Sequence, residues 1–139
     1  MKIKKYILLF VLSYFFITGL GWALDSEHYV LKIHNAHTGE NYQITFIRGD
    51  KTFKISRMIN GKETASNEIK ESAFLSMAQK IHRFLETTQP IKPQVECREK
   101  YEVVSSKNSV LKSKKGCVDK DVNFLELYLF ALESFKPFR

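Results

Sequence analysis

The sequence has only two cysteines, Cys97 and Cys117, and they do not form a close C-x-x-C pair of the kind a thiol redox centre uses. It contains no G-x-S-x-G, no H-E-x-x-H and no phosphate-binding glycine loop. A nucleophile elbow, a helix-borne zinc site and a nucleotide cradle therefore have no footing in it. None of the 15 acidic residues lies in the first 23 positions. Carboxylates such as Glu96 and Glu99 cannot be paired across space from one sequence, which neither supports nor excludes a glycosidase.

Three fragments imitate functional motifs and fall short. Arg48-Gly49-Asp50 spells an adhesion tripeptide, but a turn between two strands accounts for the same residues. Asp119-Lys120-Asp121-Val122-Asn123 copies the start of a calcium loop, yet Phe124 stands where the bend needs glycine and Phe130 where the bidentate glutamate belongs. The acidic pair reads instead as the cap and first turn of a helix. His28, His34 and His37 are close in sequence without an acidic or cysteine ligand at fitting spacing, and read as surface imidazoles rather than a metal set. His82 reads as a boundary histidine of a helix. No cofactor or metal is implied.

What is present bounds the architecture. A chain of 139 residues, 44% of them hydrophobic, fits one globular domain. Lys2, Lys4 and Lys5 precede an apolar run from Tyr6, and Gly21-Trp22-Ala23 offers small residues where a signal peptidase reads. Residues 1–23 are expected to be a secretory signal peptide and 24–139 a single small α+β domain, secreted or periplasmic. The rival is an uncleaved anchor, since Tyr6–Leu24 approaches the roughly 20 residues that span a bilayer. Ser13, Thr18 and the paired glycines disfavour it. Removing the first three lysines from 22 basic residues leaves 19 against 15 acidic, a net +4 that singles out no partner class.

Alternating apolar residues predict strands at His28–His34, Asn41–Arg48 and Lys51–Ile59. Gly49-Asp50 suits a two-residue type II′ turn, which would set Phe46 against Phe53 and Ile44 against Ile55. Asn60-Gly61 is a second turn signal, but simple counting places Lys62, Thr64 and Ser66 on the core face, which leaves at most a short fourth strand. Asn67–Thr88 predicts the long helix, with Ile69, Ala73, Met77, Ile81 and Leu85 every four residues and Phe74, Ala78 and Phe84 beside them. Ser66 or Asn67 would cap it and Pro90 would close it. The expected fold is an antiparallel meander of three or four strands under that helix, then a strand at Val95–Val104, a polar turn at Ser105–Ser109, the start of a return strand at Val110-Leu111, a basic loop at Lys112–Gly116, and an apolar helix at Asp119–Phe135.

In an exported chain Cys97 and Cys117 read as a disulfide. Lys107, Lys112, Lys114 and Lys115 belong to the segment it closes, and such a segment could dock on an anionic protein or envelope component. A patch without arginines or interleaved aromatics gives no case for nucleic acid. Spare apolar surface on the last helix could serve self-association. Two function classes stay open: a small non-enzymatic binding module, and a small secreted hydrolase with a site assembled from scattered His and Glu residues.

Overall fold

The period-2 runs pair with one another because each has one apolar face to bury and a ladder of backbone donors to satisfy. In the computed structural model, which describes residues 27–87 and 96–136, they form β1 (His28–Asn35), β2 (Asn41–Arg48), β3 (Phe53–Ile59), β4 (Lys62–Ile69), β5 (Glu99–Lys107) and β6 (Val110–Cys117). One antiparallel sheet holds all six in the order β4-β3-β2-β1-β5-β6. Two helices, α1 (Glu71–Glu86) and α2 (Val122–Glu133), complete the α+β fold among the described residues, with a short 3-10 turn at Val118–Lys120 ahead of α2. The expected signal peptide, the helix stop at Pro90 and the strand start at Val95 lie outside the described residues.

The sheet has more strands than the sequence suggested, because β5 returns to the free edge of β1 and brings β6 with it. Lys112–Gly116, expected as a loop, is most of edge strand β6. Tyr29, Leu31 and Ile33 of β1, Ile44 and Phe46 of β2, Ile55 of β3, and Tyr101 and Val103 of β5 share the buried face. Against it α1 packs Phe74, Met77, Ala78, Ile81 and Phe84, and α2 packs Phe124, Leu127 and Ala131. Among the described residues, no helix lies on the other sheet face.

Two registers differ from simple counting. Phe46 pairs with Ile55 and Arg48 with Phe53, two residues along from the expected alignment. Gly49 lacks the positive φ a type II′ turn requires. Its amide donates instead to the Thr52 carbonyl at 2.8 Å, so the connection is four residues long. A shift of two keeps every side chain on its expected face. The second difference is a bulge. Met58 faces Glu63 and Arg57 faces Ala65, which leaves Thr64 as the extra residue, and its hydroxyl donates to the Arg57 carbonyl at 3.3 Å. One extra residue reverses the phase, so Ala65, Asn67 and Ile69 turn to the helix side and β4 runs eight residues.

That pairing also moves the helix start. Ser66 and Asn67 are laddered to Ser56 and Ile55, so α1 begins after Lys70, with no side-chain cap. A missing cap costs about 1 kcal/mol. Each of Phe74, Met77, Ile81 and Phe84 contributes roughly 1.5–3 kcal/mol on burial, so packing decides the boundary. Ala73 is exposed and Leu85 half-buried, which centres the buried stripe on Phe74, Met77, Ala78 and Ile81.

Candidate functional sites at the two ends of the sheet

Cys97 and Cys117 are bonded, with Cα atoms 5.4 Å apart. The bridge joins the residue two before β5 to the last residue of β6 and sits at the end of the sheet where β1 finishes. There the uncovered face forms an open depression of about 600 Å³. Its floor follows from register. Gln43, Lys32, Glu102 and Lys115 face one another in one row across β2, β1, β5 and β6. His34 and Lys100 form the next row. Strands lie about 4.8 Å apart, so Lys32 and Lys115 flank Glu102 from both sides. Among the lining side chains three lysines stand against one carboxylate, which leaves the floor positive, with exposed ammonium groups able to meet an anion. Asn41 holds the His34 ring through Nδ1 at 2.7 Å.

At the opposite end lies a buried polar cluster. Glu27 is 6% exposed. Tyr29 Oη donates to its Oε1 at 2.5 Å, and Arg48 Nη1 meets its Oε2 at 3.1 Å. Lys107 Nζ stands 3.9 Å from Oε1. Burial pushes the Glu27 carboxyl up, but the Tyr29 hydroxyl and the Arg48 guanidinium outweigh it and hold the group below the ordinary carboxylate value. Burial and then the bond to Glu27 push the Tyr29 hydroxyl well above its usual range. His82 Nε2 lies 3.1 Å from the same hydroxyl. The single hydroxyl proton goes to Glu27, so the ring must donate from Nε2. Tyr29 is fully buried. Glu27–Tyr29–His82 is therefore a lock that ties the head of β1 to β2 and α1, and its central hydroxyl is closed to solvent.

A second lock sits beneath the disulfide. Asp121 is 3% exposed and caps α2, accepting from the Phe124 amide at 3.1 Å. It also accepts from Tyr101 Oη at 2.5 Å. Asp121 thus takes the capping role expected of the acidic pair, while Asp119 lies in the 3-10 turn. Among the described residues no group of three His, Cys, Asp or Glu side chains converges as a metal site would need. Arg48 of the adhesion-like tripeptide is engaged with Glu27.

The four lysines singled out from sequence are not brought together. Lys115 lines the depression. Lys114 points to the helix side, donating to the carbonyls of Phe84 at 3.2 Å and Thr87 at 2.8 Å with its ammonium 4.3 Å from the Phe84 ring centroid. It serves the C-terminus of α1, where a cation suits the dipole. Lys107 stands by Glu27 at the far end, and Lys112 is exposed on the edge strand. Sequence reasoning missed Lys32, Lys100 and Glu102, whose meeting depends on β1 pairing with β5. Lys32 carried one usable signal, since it alternates with the buried residues of β1. No protein-family model matches the chain, and no curated protein matches it.

Proposed function

We propose that the chain is a small exported, non-enzymatic protein that binds an anionic protein or envelope component. The observation that carries this reading is the uncovered sheet end where Lys32, Lys100 and Lys115 surround Glu102 in a depression. An antiparallel sheet tolerates one solvated face, so openness alone would say little. A concave floor with three like charges against one carboxylate adds electrostatic steering to that openness. Export is supported by the N-terminal lysines and apolar run, and a disulfide in a small domain is compatible with it.

The test is capture of a partner from an envelope extract, followed by affinity measurement at low and high salt. Lys32→Gln, Lys100→Gln and Lys115→Gln together should abolish salt-sensitive binding while circular dichroism stays that of the folded native chain. Equal affinity in both forms would remove the depression from consideration. N-terminal sequencing of material from outside the cytoplasm should begin at Leu24.

A further inference from the structure

The β5–β6 ribbon ends, on the side of the sheet opposite the depression, in a two-residue turn. Asn108 and Ser109 have φ of 51° and 61°, the positive values a type I′ turn demands. The turn explains those two residues but not the next two. Val110 is 54% exposed, and Leu111, at 70%, is the most exposed large apolar side chain among the described residues. Lys107 pairs directly with Val110, and Lys112 stands two residues further on the same side of the ribbon. At the tip Val110 thus lies between Lys107 and Lys112 on one face, Lys107 also standing 3.9 Å from Glu27, while Leu111 projects from the other face.

The chain also arrives at this end. Glu27 leads into β1, and His28 pairs with Ser106, beside the tip. In the sequence the apolar run Tyr6–Leu24 ends three residues before Glu27. The exposed stripe on α2, Val122, Leu125 and Leu129, lies on a helix whose own charged residues are both acidic, Glu126 and Glu133.

We infer that the Lys107–Lys112 tip docks on an anionic phospholipid surface, with Val110 and Leu111 in the interfacial layer and Lys107 and Lys112 against the headgroups. Two apolar side chains alone would hold weakly, as one acyl chain does, and stable contact takes a second, electrostatic signal. The lysines supply it within a Debye length of the headgroups. The inference is independent of what the depression binds, and it holds for the chain with or without its first 23 residues.

The chain's single tryptophan is Trp22, which makes a reporter straightforward. Full-length protein carrying Trp22→Phe and Leu111→Trp is mixed with vesicles of equal parts phosphatidylglycerol and phosphatidylcholine, and with phosphatidylcholine alone. Fluorescence should shift to the blue, and be quenched by brominated acyl chains, with the anionic vesicles only. Adding Lys107→Gln and Lys112→Gln should weaken that partitioning roughly thirtyfold, given the value of each basic residue at such a surface. Far-UV circular dichroism checks that each variant is folded. Trp22→Phe with Leu129→Trp should report water throughout. An unshifted Leu111→Trp signal, an equal shift with neutral vesicles, persistence of the shift after the lysines are neutralised, or a shift at Leu129→Trp instead would each overturn the inference.

Discussion

Among single residues, Glu27 has the most to lose. It is a buried carboxylate whose two hydrogen bonds hold its pKa below the ordinary value. A depressed carboxyl contributes stability above its unfolded pKa, and that contribution is lost as pH falls through the folded one. Glu27→Gln should therefore destabilise at pH 7 by about 1–2 kcal/mol, the lower part of the range for charged hydrogen bonds because Arg48 is 44% exposed. By about pH 3, below the ordinary carboxylate pKa, the gap to the native chain should narrow. Urea unfolding at both pH values decides it, and an undiminished gap in acid would contradict the linkage. Gly116 is the second sensitive position. A Cβ there would lie 2.6 Å from Tyr101 Oη and 2.7 Å from its Cζ. The Tyr101 ring cannot retreat, being bonded to Asp121 and stacked on Phe124 at 4.1 Å between centroids. Gly116→Ala should cost roughly 1–3 kcal/mol, as overpacking does, and Tyr101→Phe should not rescue it because the ring carbons clash too. Neither residue was legible from sequence. Glu27 sits outside any periodic pattern, and Gly116 reads as loop glycine until β6 is paired.

The elements were legible wherever one period governed them. Tyr29, Leu31 and Ile33 alternate cleanly, and α1 carries its stripe in full. Legibility failed at Thr64, because one bulged residue inverts the inside and outside of everything after it, and at Lys112–Gly116, where lysines concealed an edge strand. Lysine suits that place, since charges on an exposed edge discourage pairing with another chain. The Cys97–Cys117 bond was legible from the count and the setting. With a separation of 20 residues it should contribute roughly 3 kcal/mol in the chain-entropy model. Cys97→Ser with Cys117→Ser should melt well below the native chain in differential scanning calorimetry. An unchanged melting temperature would mean that Tyr101–Asp121 and the β5–β6 ladder already hold this end.

Across the whole molecule, the α+β class followed from local pattern, while the sheet order depended on which free edge β5 would choose. That choice puts β1 in the middle, with β2 on one side and β5 on the other. A fragment of residues 24–87 should lack a cooperative thermal transition by circular dichroism, because β1 and α1 lose the β5 and α2 side chains that complete the core. A sharp two-state melt of that fragment would show the first four strands to be self-sufficient. The central place of β1 also has a consequence in time. Asn35 bonds to Glu99 across 64 positions of chain. At synthesis rates of about 5–20 residues per second, the open edge of β1 waits roughly 3–13 s for its partner. For that interval β1, paired only to β2, offers an open edge to which a chaperone or a neighbouring chain could add a strand.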